Sequence, residues 1–152
     1  MTRHYTDAEL WDILNRQGKA EGPRPKDKPA RKKMSFEESH IQRTVIRWWQ
    51  VKCREFGVAE VLLFSIPNGG HRHVITASIM KAEGARAGAP DLFLACPNHR
   101  HSGLFLEIKR LTGVVTPEQE VFHALLRARG YQVNVCRSVK EAVDTIILYL
   151  AQ

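Results

Sequence analysis

Apolar positions recur at helix and strand spacing through most of the chain and divide it into successive elements. Residues 35–56 have the pattern of a capped amphipathic helix, with Ser35 as the expected N-cap residue. Residues 59–66 form an apolar run rich in Val, Leu, Phe and Ile, which predicts a buried strand. A second helix is predicted over residues 74–83, and Gly84 is expected to end it.

The remaining elements follow in the same alternating manner. Residues 91–96 and 104–109 predict two strands of a hairpin, and residues 131–136 predict a further strand. The helices predicted over residues 116–130 and 138–150 each begin with a Thr or Ser that can act as N-cap. This order predicts an α/β (α+β) fold in which a mixed β-sheet is flanked by helices.

The N-terminal part of the chain differs in composition from the rest. Residues 18–33 contain three prolines, many Lys and Arg, and almost no apolar side chains, which indicates a flexible linker after a short helix. We therefore predict a basic arm at residues 1–34 and one globular domain at residues 35–152. The net charge of +7 favours a polyanionic partner, so Lys32 and Lys33 are candidate nucleic-acid contacts.

The spacing of the cysteines and the lack of long apolar runs indicate the cellular compartment in which the protein is expected to work. The three cysteines are far apart and form no CxxC pair, so neither a disulfide framework nor a thiolate zinc site is indicated. No apolar run is long enough to cross a bilayer, and the N-terminus lacks the apolar core of a signal peptide. A cytoplasmic protein without a membrane partner is therefore expected.

Three residues at the ends of the predicted hairpin strands carry candidate chemistry. Asp91 is followed sixteen residues later by Glu107, and Lys109 lies two residues beyond. Because side chains alternate along a strand, Glu107 and Lys109 should share one face while Ile108 enters the core. An isolated acidic-x-basic triplet usually marks a solvated face, but these charges lie within a nearly continuous apolar strand, where unpaired charges are costly. Converging carboxylates suit Mg²⁺, and a neighbouring lysine can activate water.

These residues belong to a larger set of motifs that resembles a known family. From Ser35 to the C-terminus, the chain is similar to the VRR-NUC branch of the PD-(D/E)xK nuclease superfamily, especially its small stand-alone members in phages and bacteria. The motifs, in order, are Glu38-x-x-x-Gln42, Ile66-Pro67-Asn68-Gly69-Gly70, Gly84 through Gly88-x-Pro90-Asp91, Glu107-Ile108-Lys109 and Thr116-Pro117-x-Gln119.

The resemblance implies a restriction-endonuclease-like fold and a metal-dependent active site. Asp91, Glu107 and the carbonyl oxygen of Ile108 would ligate Mg²⁺, for which Mn²⁺ can substitute. Lys109 would be the catalytic lysine.

Two supporting residues are also implied by the resemblance, and each has an ordinary structural interpretation as well. Glu38 would reach the metal through water, and Gln119 would support the active site. Both residues also fit capping boxes, because each lies three residues after an N-cap candidate. Glu37 is a competing acidic choice for the position of Glu38.

Two His-x-His patterns, at residues 71–73 and 99–101, raise the alternative of a zinc site. Each is interleaved with Arg and has no carboxylate or Cys at customary zinc spacing, which favours solvent or phosphate contact. The first of these two patterns is the stronger candidate for a phosphate contact, because the glycines after Asn68 allow a close approach of the backbone. Arg72 would make that contact, and Asn68 is a further candidate.

The sequence therefore predicts a metal-dependent DNA endonuclease. The resemblance implies preference for a DNA structure such as a branch or flap, and a possible homodimer. The alternative is a non-catalytic DNA-binding module with a nuclease-like fold, which would have no reason to keep the acidic and basic set. A hydrolase of small phosphate esters would explain the site but not the basic linker.

Overall fold

The computed structural model describes residues 36–67, 79–80 and 82–152, all within a unit that spans residues 33–152. The predicted arm, residues 1–34, lies outside the described residues. So does most of the helix predicted over residues 74–83, of which residues 79, 80 and 82 are described and helical. Gly84 follows them with a φ of 101°, a conformation that favours glycine and ends a helix.

The first helix, α1, spans Phe36–Lys52 and continues as a 3₁₀ turn over Cys53–Phe56. Its buried side chains recur every three or four residues, so one stripe of the helix faces the core. The indole N–H of Trp49 donates to the carbonyl oxygen of Glu60 at 2.8 Å and ties the helix to the next segment. The predicted helix is thus confirmed, with a tighter last turn.

Four strands form one mixed sheet in the order β1-β2-β3-β4. The strands are β1 (Leu63–Ser65), β2 (Leu92–Leu94), β3 (Leu104–Ile108) and β4 (Gln132–Cys136). β2 is antiparallel to both of its neighbours, β1 and β3, whereas β4 runs parallel to β3. The mixed sheet and the predicted hairpin are confirmed.

The first strand departs from the prediction of a buried strand over residues 59–66. Residues Glu60–Leu62 form a 3₁₀ turn, and only Leu63–Ser65 pair with β2. Leu63 is buried, but Phe64 is 45% exposed and Ser65 is exposed as well. The prediction was wrong because β1 lies at the edge of the sheet, where one side of the strand is not covered.

Two further helices complete the described fold, α2 at Pro117–Ala128 and α3 at Val139–Leu150. Thr116 and Ser138 cap them as predicted, since each side-chain oxygen accepts a backbone N–H from the first turn. The core lies where α1 and α3 pack against one face of the sheet, with Leu92, Leu106 and Ile146 among its fully buried side chains. None of the helices in the described ranges has both the length and the apolar character of a membrane span.

Candidate active site

Asp91 is held at the entrance to β2 by three hydrogen bonds. Its backbone N–H donates to the Leu106 carbonyl oxygen at 3.1 Å, and its own carbonyl oxygen accepts from Ile66 N–H at 2.9 Å. Its side-chain Oδ2 accepts from the backbone N–H of Ile108 at 2.7 Å. Asp91 therefore precedes the strand, instead of starting it as predicted, and its carboxylate crosses to the end of β3.

Glu107 and Lys109 lie at the end of β3 on the opposite side from Ile108, as the alternation predicts. Ile108 belongs to the apolar core, whereas Glu107 and Lys109 are only 1% and 2% exposed on the other face. Lys109 Nζ donates to Glu107 Oε1. The charged pair is therefore buried, and the ion pair compensates for the lost hydration of both groups.

The first turn of α2 supplies Gln119 to this pair. Gln119 Oε1 accepts from the Thr116 N–H at 3.0 Å and so completes a capping box, while Gln119 Nε2 donates to Glu107 Oε1. The Gln119 amide thus completes the predicted capping box with its oxygen and contacts Glu107 with its nitrogen.

A close approach between two segments brings α2 to Asp91. Gly88 has a φ of 86°, and a Cβ atom at this position would lie 2.6 Å from the Glu118 carbonyl oxygen. Only glycine fits this contact without displacement of the backbone. Gly88 therefore lets the loop that leads to Asp91 pack directly against the start of the helix that carries Gln119.

The orientation of α1 separates Glu38 from Glu37. Glu38 is 6% exposed and its Oε1 accepts from the backbone N–H of Arg110 at 3.2 Å, whereas Glu37 is exposed. Of the two acidic candidates, Glu38 is the one that the structure brings to the site. Its charge is near enough to contribute to the raised pKa of Asp91.

The cluster holds more negative than positive charge. Burial raises the pKa of Asp91 from 3.8 to about 7, with a further contribution from the negative charge of Glu107. The Ile108 N–H and the Lys109 ammonium act in the opposite direction and only partly compensate. The surroundings of Asp91 therefore disfavour its ionised form in this structure.

His123 is a member of the cluster that the sequence analysis did not include. It lies on α2, is 2% exposed, and its Nε2 is 3.6 Å from Glu107 Oε2. Neither atom has a hydrogen-bond partner. The available signal was its spacing, since His123 is one helical turn after Gln119 and so shares its face.

The remaining candidates divide between those outside the described residues and those away from the cluster. The proposed nucleic-acid contacts Asn68, Arg72, Lys32 and Lys33 all fall outside the described ranges. Across the described residues, no group of three or more His, Cys, Asp or Glu side chains is arranged to hold a metal ion, and this applies to His99 and His101 too.

A mixed sheet that brings an Asp together with a buried Glu and Lys at the adjoining ends of two strands is the arrangement of PD-(D/E)xK-type nucleases. The chain belongs to the VRR-NUC domain family, whose family model matches residues 36–140. A solved structure described as a VRR_NUC domain protein superposes with a TM-score of 0.65 at 24% sequence identity, covering 77% of this chain and 90% of that chain. This likeness shows the shared fold. Among curated proteins, no sequence matches the chain.

Proposed function

We propose that this protein is a Mg²⁺-dependent nuclease that hydrolyses phosphodiester bonds in DNA at the cluster of Asp91, Glu107 and Lys109. The observation that carries the proposal is Glu107 Oε2, a buried carboxylate oxygen without a hydrogen-bond partner. It belongs to a cluster whose excess negative charge contributes to the raised pKa of Asp91. A buried acceptor in such surroundings calls for a cation.

The residues present fit a hard divalent cation. Mg²⁺ prefers oxygen ligands and is commonly bound by one or two carboxylates, with water and substrate phosphate completing its octahedron. Asp91 and Glu107 supply the carboxylates, and we assign the carbonyl oxygen of Ile108 as a third donor. Glu38 would act through water.

The chemistry divides between the cation and the surrounding side chains. A bound Mg²⁺ supplies Lewis-acid polarisation of the scissile phosphodiester and neutralises charge in the transition state. Lys109 directs its ammonium group into the cluster, where it can orient the attacking water and stabilise negative charge on the phosphate. Gln119 donates to the same Glu107 oxygen that Lys109 contacts. The first turn of α2 therefore helps to fix the position of the Glu107 carboxylate relative to the Lys109 ammonium group.

DNA is the proposed substrate because a nuclease domain acts on nucleic acid and the chain is strongly basic. The net charge of +7 attracts a polyanion over long range. We further propose a preference for branched or flap DNA, and a homodimer, both of which stem from the resemblance to stand-alone members of the family.

The test is a cleavage assay on linear, nicked, flap and four-way DNA with Mg²⁺, Mn²⁺, Ca²⁺ or excess EDTA. We expect cleavage with Mg²⁺ and Mn²⁺, and binding with little cleavage in Ca²⁺, whose looser coordination orients water poorly. Asp91→Asn should abolish cleavage but retain DNA binding. Tyr149→Phe is the matched control, because it removes a buried hydroxyl that lies 2.7 Å from the Cys96 carbonyl oxygen and does not contact the cluster.

Two results would contradict the proposal. Undiminished cleavage in excess EDTA would exclude the metal requirement. Tight DNA binding without cleavage of any substrate in Mg²⁺ or Mn²⁺ would instead favour the non-catalytic DNA-binding module.

A further inference from the structure

Two buried side-chain atoms within the described residues lack a hydrogen-bond partner, and they face one another. They are Glu107 Oε2 and His123 Nε2, which lie 3.6 Å apart. Unpaired buried polar atoms are uncommon in folded proteins because each costs free energy. That both occur in one contact indicates a pair that is completed when the site is in use.

We propose that His123 is a positioning residue, which holds Glu107 Oε2 in place for the metal ion through an Nε2–H hydrogen bond. The inference rests on the proposed function, because it assumes that Glu107 ligates the metal. It adds a residue that none of the family motifs in the sequence contains.

The two oxygens of Glu107 have different surroundings. Oε1 accepts from both Lys109 Nζ and Gln119 Nε2, whereas Oε2 accepts no hydrogen bond from the described residues and lies 3.6 Å from His123 Nε2. A carboxylate oxygen has two lone pairs, so Oε2 can accept one hydrogen bond and still ligate a cation. The arrangement leaves Oε2 as the oxygen available to the metal, with His123 Nε2 facing it.

The local geometry also selects the tautomer of His123. If Nε2 carried no hydrogen, its lone pair would face the lone pairs of Glu107 Oε2, and two buried acceptors would repel one another. A hydrogen on Nε2 turns the same contact into a donor facing an acceptor. The separation of 3.6 Å is slightly longer than a hydrogen bond, so a small shift of either side chain closes it.

The position of His123 on α2 explains why it can perform this role. His123 is four positions after Gln119 in the chain, so the two side chains lie on the same face of α2. One helix therefore presents an amide to Oε1 and an imidazole to Oε2 of the same carboxylate. His123 is only 2% exposed, so its ring lies within the protein interior. Donors behind a metal ligand commonly fix its orientation and raise metal affinity.

The experiment measures Mn²⁺ affinity of the full chain without DNA, from the electron paramagnetic resonance signal of free Mn²⁺ during titration. His123→Gln places an amide N–H near the position of Nε2, whereas His123→Asn is one methylene shorter and cannot reach Glu107 Oε2. His123→Leu removes the donor but keeps similar volume. We expect about a tenfold or greater loss of affinity for His123→Asn and His123→Leu, and much less for His123→Gln.

Cleavage kinetics supply a second readout, since a defect in metal placement should respond to metal concentration. We expect kcat of His123→Asn to recover partly as Mn²⁺ is raised, with KM for DNA unchanged, whereas Asp91→Asn should not recover. Tyr149→Phe should bind Mn²⁺ as the wild type does.

Equal Mn²⁺ affinity of wild type, His123→Gln and His123→Asn would overturn the role of His123 and leave the proposed function intact. The comparison of the two amide variants retains its meaning even if His123→Leu fails to fold. A wild-type protein that binds no Mn²⁺ would instead refute the metal site itself, so the two failures are distinguishable.

Discussion

Asp91→Asn should make the metal-free protein more stable, although it removes a group proposed for catalysis. The pKa of Asp91 is raised from 3.8 to about 7, chiefly by burial and then by the charge of Glu107. At about 1.4 kcal/mol per pKa unit, the difference corresponds to about 4 kcal/mol that opposes folding once the carboxyl is ionised. Asparagine carries no charge and can still accept the hydrogen bond from Ile108 N–H.

The net gain in the free energy of unfolding should be smaller than this value of about 4 kcal/mol. Asp91 and Glu107 titrate together, and the new amide N–H₂ group must find an acceptor of its own, so we expect about 2 kcal/mol above pH 7. For a domain of this size, that corresponds to a rise in Tm of roughly 5–10 °C.

The pH dependence gives the sign of the effect. Because the pKa of Asp91 is higher in the folded than in the unfolded protein, its contribution to stability is fully present below about pH 4 and is lost as the pH rises through 7. Asparagine does not titrate. The Tm of Asp91→Asn relative to that of the wild type should therefore be lowest near pH 4, increase up to pH 7, and then stay constant.

The assay is thermal unfolding from pH 4 to pH 8, with and without Mg²⁺. Saturating Mg²⁺ should raise the Tm of the wild type but not of Asp91→Asn, since a ligand stabilises the state that binds it, by about 2.7 kcal/mol at 100 times Kd. Asp144→Asn is the control, because it makes the same change of charge in an exposed pair with Lys140. A lower Tm for Asp91→Asn at pH 8, or an equal response of both proteins to Mg²⁺, would refute the reasoning.

Three further predictions concern the cluster, the loop before it and the arm. Glu107→Gln should destabilise the metal-free protein by about 3 kcal/mol in urea unfolding, because it deprives buried Lys109 of its ion pair. This effect is opposite in sign to that of Asp91→Asn, and an unchanged urea midpoint would contradict it. Gly88→Ala should lower the free energy of unfolding by about 2 kcal/mol and slow cleavage. The added Cβ would lie 2.6 Å from the Glu118 carbonyl oxygen, and the backbone conformation at this position favours glycine. A variant with the Tm and cleavage rate of the wild type would argue against that contact. Deletion of residues 1–33 should weaken DNA binding and flatten its dependence on salt, whereas an unchanged slope would make the arm an inert linker or a protein-docking segment.

Local patterns were sufficient for the elements whose signals lie within a few residues of one another. Thr116 and Gln119 form a capping box because both partners lie in one helical turn. The alternation along β3 likewise predicts that Glu107 and Lys109 share a face, and the structure agrees. Such features depend on backbone geometry that the nearby sequence already determines.

Local patterns could not predict which strand lies at the edge of the sheet, or which face of α1 is turned toward the sheet. An apolar run such as residues 59–66 has the same composition whether it lies at the centre or the edge of a sheet, and here Phe64 lies at the edge, partly exposed. Glu37 and Glu38 are adjacent and equally acidic, so only the packing of α1 decides which of them is buried beside Arg110.

The sequence by itself determined the order of the described helices and strands, the basic character of the chain, and the three residues of the proposed site. Tertiary structure alone decided that Gln119 holds one oxygen of Glu107, that His123 faces the other, and that Asp91 has a raised pKa. The physical reason is that burial and electrostatic interactions depend on distances between segments far apart in the chain. Periodicity specifies which face of an element a side chain occupies, but not which charges lie opposite that face after folding.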